Sequence, residues 1–336
     1  MKTPSFKIIG ASAIKEWMDN HSQEIFELVK EAYVLHSKAL ALNPDSYFLR
    51  FPSEQKNRII ALPASLEDQA PIAGIKWIAS FPDNIEDGLD RASAVLIIND
   101  RKTGYPRACL EGSVISAGRT AASAAVGAQY LHPTPGRINR LCVVGCGLIA
   151  YQSIELLVRL GWKIGCLSVV DTSEQRGATF AKKCREAFKI DADVDFLAGA
   201  VPQSDMVLFA TSAGTPHVKD PVMFRHAPTV LHMSLRDLSP EVVLSAQNVV
   251  DDIDHCLKAQ TSLHLTEQQV GSRNFVSGNA ADLIEGRVLP DRTRVRIFSP
   301  FGMGILDLAV ARAILKDINE AAANAIPDFF PVPYAA

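Results

Sequence analysis

Ten residues, Leu141-Cys-Val-Val-Gly145-Cys-Gly147-Leu-Ile-Ala150, constrain this chain more than any other stretch. Residues 141–144 are apolar and read as a buried strand, and from Leu148 onward the spacing is helical. The Gly145-x-Gly147-x-x-Ala150 junction then fixes a strand–turn–helix unit of a parallel sheet. Gly145 permits the tight turn, and Gly147 lets backbone approach a pyrophosphate. Ala150 keeps helix and strand close, while the N–H groups of Leu148 and Ile149 open a helix whose dipole favours an anion. Asp171 closes the next strand, 24 residues after Gly147, where a carboxylate would bond ribose hydroxyls. The same carboxylate would repel a 2′-phosphate, so the expected dinucleotide is NAD rather than NADP.

Around this unit the rest of the chain falls into two textures. Before it, residues 22–40 show helical spacing, and short β-like runs follow at 47–51, 58–62, 72–78, 94–99 and 106–110. That pattern predicts an antiparallel sheet, followed by an Ala/Ser/Gly-rich helix over 113–129. His132-Pro-Thr-Pro-Gly-Arg breaks the chain. Beyond it strands (140–144, 166–170, 194–197, 206–210, 230–234, 248–250) alternate with helical segments (148–160, 173–188), the grammar of βαβ units. Residues 300–325 read as a helix returning toward the first part. The expected fold class is α/β: a Rossmann-type parallel-sheet domain (132–304) plus an α+β substrate and dimerisation domain (1–131 with 305–336).

Composition excludes several function classes. With a formal net charge of −3 over 336 residues, there is no cationic field to draw nucleic acid or anionic lipid. No apolar run approaches the roughly 18 residues of a membrane span, and the N-terminus carries no apolar leader, so a cytoplasmic protein is expected. Six cysteines without a CxxC pair read as reduced core residues. His217, His226 and His232 have no short metal-ligand spacing, so no metal is expected and satisfied polar histidines are the reading. Asp251-Asp-Ile-Asp254-His reads as a solvated loop or helix cap.

Five blocks converge on one family. They are Gly74-Ile-Lys76-Trp, Asn99-Asp-Arg-Lys-Thr-Gly-Tyr-Pro106, Ser116-Ala-Gly-Arg119-Thr120-Ala-Ala, Val144-Gly-Cys-Gly-Leu-Ile-Ala-Tyr-Gln152 and Ser299-Pro-Phe-Gly-Met-Gly304. Together they resemble the ornithine cyclodeaminase/μ-crystallin family over nearly the whole chain. Asn20-His-Ser-Gln23, Tyr47-Phe-Leu-Arg50, residues 58–63, Gly74–Ile78 and Arg91-Ala-Ser93 are most similar to those members that split N-(2-amino-2-carboxyethyl)-L-glutamate oxidatively into L-2,3-diaminopropionate and 2-oxoglutarate, as in siderophore pathways. The resemblance implies a homodimer formed through the first domain. Ornithine-cyclising members have a glutamate where this chain has Ala61, and alanine cannot hold a distal ammonium. Arg91 adds a cation that suits a substrate richer in carboxylates.

The implied chemistry needs clamped carboxylates, a C–H bond aimed at nicotinamide and a proton acceptor. Arg50, Lys76 and Arg119, with Arg91, are the candidate substrate-binding cations, since guanidinium forks grip carboxylates and lysine adds a point charge. Asp237 follows the strand at 230–234 and matches the family's catalytic aspartate, expected to take a proton from the substrate nitrogen and to position water. A turn or cap before Ser239-Pro-Glu is its structural alternative. Thr120, Thr211 and Ser234 are candidate donors to the cofactor, and Met303 is expected near the nicotinamide as in relatives. The same residues would also suit an ornithine or lysine cyclodeaminase, a ketimine reductase, or a μ-crystallin-like protein that binds without turnover.

Overall fold

The computed structural model describes residues 4–318 and 324–331. It divides into two compact units, Met1–Arg119 with Met303–Ala336, and Thr120–Gly302.

Unit 1 is built on an eight-stranded sheet: β1 (Phe6–Ile9), β2 (Ala41–Leu42), β3 (Tyr47–Phe51), β4 (Glu54–Leu66), β5 (Ile72–Ser80), β6 (Ala92–Asn99), β7 (Pro106–Glu111) and β16 (Asn324–Ile326). Their order is β16-β1-β7-β6-β5-β4-β2, with β3 also paired to β4. The predicted antiparallel sheet is largely what forms, but β1, which the sequence reading missed, pairs in parallel with β7. One sheet face is covered by the helix Gly304–Asp317, ten of whose residues are buried. Gly304 permits the approach, since a Cβ there would stand 3.1 Å from the Leu62 carbonyl oxygen. The strands alternate accordingly: in β5 Lys76 points to the covered face and Trp77 to the open one. The helix predicted over 22–40 runs Ser22–Ser37, and a further helix, Ala11–Asn20, precedes it. The long terminal helix predicted over 300–325 is shorter, and residues 319–323 lie outside the described set.

Unit 2 is an all-parallel sheet of β8 (Arg137–Val144), β9 (Lys163–Val170), β10 (Asp191–Val194), β11 (Met206–Phe209), β12 (Thr229–His232), β13 (Gln247–Val250), β14 (Val276–Asn279) and β15 (Arg296–Ser299). The order is β10-β9-β8-β11-β12-β15-β13-β14, the Rossmann-type winding that reverses direction at β8. β11, β12, β13 and β15 are buried at every position, as strands covered on both faces must be. Their short apolar runs show no alternation for that reason. The predicted strand at 194–197 is corrected: the strand ends at Val194, and Leu197 starts a short helix. β14 and β15 were missed, β15 because Arg294 and Arg296 interrupt its apolar run. Arg296 is nevertheless buried, its guanidinium bonded to the carbonyls of Ala227, Asp291 and Arg294.

No described helix is long and apolar enough to cross a membrane. All six cysteines are free; Cys142, Cys184 and Cys256 are buried, and Cys109, Cys146 and Cys166 are only partly so.

Candidate functional site

Two polar clusters stand out, one in each unit. In unit 1 the Lys76 ammonium, 2% exposed, donates to Asp307 Oδ2 at 2.7 Å and to Ser116 Oγ at 3.2 Å. Arg119 Nε donates to Asp307 Oδ1 at 3.2 Å. Asp307 is fully buried between the two cations. Burial, and then the charge of Arg119, pull the Lys76 ammonium down to about 8, while Asp307 holds it up. Lys76 and Arg119 thus meet the same buried carboxylate in a desolvated place, and an ammonium beside a guanidinium is chemistry that can bind a ligand carboxylate.

Asp307 escaped the sequence reading. A signal was present: it is the one carboxylate in the apolar run Ile305-Leu-Asp-Leu-Ala-Val, and a charge there must find a buried partner.

The other predicted cations are not brought into this cluster. Arg50 lies on the Lys76 face of the sheet, because Arg50 pairs with Arg58 and Arg58 with Ser80 in the same register that pairs Leu62 with Lys76. It is exposed, two pleat rows away, with its guanidinium 5.1 Å from the centre of the Phe48 ring. Arg91 is exposed just before β6. The register also corrects the role given to Ala61: it pairs with Trp77, so its side chain lies on the sheet face opposite Lys76. Its identity says nothing about the space beside Lys76 in this unit.

In unit 2 the Gly145–Ala150 turn has the expected form. Gly145 has φ +91°, and a Cβ there would sit 2.7 Å from the Ala210 carbonyl oxygen, so only glycine fits. Gly147 precedes the first turn of the helix Leu148–Arg159 and has nothing within 4 Å of where its Cβ would be. That open ground, over the free N–H groups of Leu148 and Ile149, fits a pyrophosphate. Ala150 is buried against the strand. Asp171 accepts from the N–H groups of Cys146 and Ser173, both at 2.9 Å, and from Arg176 at 2.7 and 3.0 Å. Burial opposes its charge, but Arg176 and the two amides outweigh it and hold the carboxyl below its ordinary value. Arg176 is thereby committed to Asp171 and is no free clamp for a 2′-phosphate.

At the carboxyl edge of the same sheet lies Asp237. Register aligns Val144, Phe209 and His232, and the Leu231–Phe298 pairing brings Ser299 into the same row beside His232, with Oγ 3.0 Å from Nδ1. Asp237 is fully buried and has four side chains at hydrogen-bond distance, His232 Nε2 among them also facing the Asp237 backbone N–H at 3.4 Å. Thr211 Oγ1 (2.5 Å) and His217 Nε2 (3.0 Å) meet Oδ1; His232 Nε2 (3.2 Å) and the Ser234 hydroxyl meet Oδ2. Burial opposes the charge, yet His217, His232 and Ser234 together hold the carboxyl far below the usual carboxylate range. Asp237 is not the helix cap, a position that Ser239 occupies.

Other expectations change with this arrangement. The hydroxyl protons of Thr211 and Ser234 are committed to Asp237 and are not free for a cofactor. Met303 is fully buried, and Thr120 half-buried on the helix Ser113–Leu131. His217 and His232, read as satisfied polar histidines, flank one carboxylate, a pairing their spacing of 15 residues concealed. The acidic run at 251–254 is also only partly solvated: Asp252 caps a short helix, but Asp251 is buried and accepts the amides of Phe301 and Gly302 at 2.9 and 2.7 Å.

A parallel Rossmann-type sheet with a glycine-lined phosphate turn, joined in one chain to a mixed sheet with a buried cation cluster, defines a two-unit protein of the nucleotide-binding α/β class. The chain belongs to the ornithine cyclodeaminase/mu-crystallin family, matching it over residues 12–322. It is 27% identical over 325 residues to the N-((2S)-2-amino-2-carboxyethyl)-L-glutamate dehydrogenase of Staphylococcus aureus, an alignment covering 93% of this chain and 95% of that relative. An archaeal alanine dehydrogenase dimer solved with bound NAD superposes with a TM-score of 0.83 at 25% identity, over 97% of this chain and 100% of that one. The Δ1-pyrroline-2-carboxylate reductase of Thermococcus litoralis, solved with NADH and L-proline, shares the fold with a TM-score of 0.84 at 22% identity, over 92% of this chain and 96% of that one.

Proposed function

We propose that this chain is an NAD-dependent oxidoreductase that opens the carbon–nitrogen bond of N-(2-amino-2-carboxyethyl)-L-glutamate, giving L-2,3-diaminopropionate and 2-oxoglutarate. The observation that carries this reading is the buried Lys76–Asp307–Arg119 cluster, whose adjacent ammonium and guanidinium suit an anionic substrate. The 27% identical relative from Staphylococcus aureus supports the choice of substrate.

Gly145, Gly147, Leu148 and Ile149 would hold the dinucleotide's phosphates, and Asp171 its ribose. Bound NAD supplies the acceptor for a hydride leaving the carbon beside nitrogen. Lys76 and Arg119 anchor a substrate carboxylate and so fix the direction of that C–H bond. Arg50, on the same sheet face as Lys76, is proposed to meet a second carboxylate at the solvent side, with Arg91 adding to the field. Water then releases the keto acid from the imine, with proton transfers centred on the Asp237 cluster. Thr120 and Met303 remain proposed neighbours of the cofactor.

A second copy of the chain is proposed to cover the open face of the unit 1 sheet, where Tyr47, Leu49, Trp77 and Val95 stand exposed on one side of neighbouring strands. Six free cysteines suit a reducing, cytoplasmic setting.

The test is to incubate purified protein with NAD and either the glutamate conjugate or ornithine, following absorbance of reduced nicotinamide and identifying products by mass. Reduced cofactor accumulating with 2-oxoglutarate is expected. Proline and ammonia without net reduction would establish a cyclodeaminase instead.

A further inference from the structure

From the geometry around Asp237 we infer that His217 is the proton carrier of the hydrolytic step and that Asp237 is a positioning residue acting through it; the inference rests on the oxidative reading above. Asp237 has no exposed side-chain surface, whereas its partner His217 reaches the surface. Its Oδ1 takes Thr211 and His217 and its Oδ2 takes the Ser234 hydroxyl, with His232 Nε2 3.2 Å from Oδ2 and also within reach of the Asp237 backbone N–H. A carboxylate in that state orients its neighbours and neutralises their charge.

Among its four side-chain partners, Thr211 and Ser234 are hydroxyls that do not titrate near neutrality, and His232 is 1% exposed. His217 alone combines an imidazole with access, its side chain being 39% exposed. Its placement is built in twice. The backbone N–H groups of His217 and Val218 donate to the Asp237 carbonyl at 3.0 and 2.9 Å, and Ser239 N–H donates back to Val218 at 2.9 Å. Val218 and Leu238 form a parallel bridge. The ring then returns to the Asp237 side chain through Nε2.

Because Asp237 is ionised and can only accept, Nε2 must carry the hydrogen, and Nδ1 keeps the lone pair on a side chain that is 39% exposed. The arrangement is a base held in one tautomer by a buried carboxylate, and neither residue type nor chain spacing announces it. Thr211 and Ser234 hold the carboxylate, and His232, tied to Ser299, backs it from inside the sheet.

The step balances as follows. Hydride loss from the secondary amine leaves a protonated imine; water oxygen bonds to its carbon while the C=N pair moves to the N–H nitrogen, and Nδ1 of His217 takes a water proton. The imidazolium, paired with Asp237, returns that proton to nitrogen. His217 then accepts the remaining hydroxyl proton as the C–N bond breaks with its electron pair on the departing amine, and passes it to solvent.

The experiment compares wild type, His217→Ala and Asp237→Asn, each with NAD bound. His217→Ala is expected to lower kcat by about 10²- to 10⁴-fold, to leave the NAD dissociation constant within about twofold, and to regain turnover with added imidazole. Nitrogen NMR of histidine-labelled protein is expected to find His217 protonated at Nε2 in wild type and that tautomer lost in Asp237→Asn. Retention of more than about a tenth of kcat in His217→Ala would overturn the assignment. Activity that imidazole does not restore would do the same, as would a His217 ring protonated at Nδ1. A wild-type protein that reduces no NAD on either substrate refutes the oxidative reading, and the tautomer still decides the role of His217.

Discussion

Asp307→Asn isolates the electrostatics of unit 1, because the amide has the shape of the carboxyl and leaves no cavity. The substitution removes one negative charge 2.7 Å from the Lys76 nitrogen and 3.2 Å from Arg119 Nε. Stripping one partner from a buried ion pair costs about 3–5 kcal/mol. The amide oxygen can still accept one hydrogen bond, which puts the expected loss near the lower end, about 3 kcal/mol. In a unit of some 150 residues each kcal/mol moves the midpoint by about 2–4 °C, so Tm should fall on the order of 10 °C.

The loss should also depend on pH in a defined direction. In the folded wild type Lys76 titrates near 8, below its ordinary 10.5, so its burial weighs against folding at neutral pH and that burden lifts as pH rises from about 8 to 10.5. Without Asp307 the Lys76 value falls further. The wild type's advantage from the Lys76–Asp307 attraction is therefore full at low pH and is lost as pH rises through about 8. Scanning calorimetry of both proteins at pH 7 and pH 9.5 should show the larger gap at pH 7. Equal midpoints at pH 7, or a gap that widens at pH 9.5, would refute the claim that Asp307 neutralises two buried cations.

Gly145→Ala should destabilise unit 2 by about 2 kcal/mol or more, since φ +91° is strained for alanine and its methyl would press on the Ala210 carbonyl; NAD titration by calorimetry should show at least a tenfold loss of affinity. Asp171→Ala should weaken NAD binding by about 10- to 100-fold, the worth of charged hydrogen bonds. It also releases Arg176, so the ratio of NADP to NAD affinity should rise, and an unchanged ratio would argue against Asp171 as the ribose ligand. For the reaction itself, kcat/KM on an anionic substrate should fall as pH rises through about 8, as Lys76 loses its charge. A flat profile from pH 7 to 9.5 would remove Lys76 from the clamp.

Legibility in the sequence followed locality. The Gly145–Ala150 turn and the four buried positions before it could be read because every constraint lies within ten residues. The strands of unit 1 were visible from β3 to β7 because each is an apolar run cut off by turn residues. What could not be read was long-range. Asp307 meets Lys76 across 231 positions, and nothing near either residue announces the other. Asp237 could be placed at a strand end, but its enclosure by Thr211, His217, His232 and Ser234 depends on the ends of β11 and β12 and the loop between them arriving together. β15 was hidden by arginines whose charges are absorbed by carbonyls of other segments. Side-chain direction was the other blind spot: Ala61 and Lys76 look like neighbours in any alignment of strands, and only the register shows that they face opposite ways.

The return of the chain to unit 1 after Gly302 has a consequence on the ribosome. Lys76 and Arg119 emerge long before Asp307, the buried carboxylate that each of them meets in the folded unit. The portion synthesised first must therefore wait for the portion synthesised last, whereas Thr120–Gly302 can close as soon as β15 has slid between β12 and β13. Chains released before residue 307 should thus carry one finished half and one open half, the state that chaperones and proteases would meet.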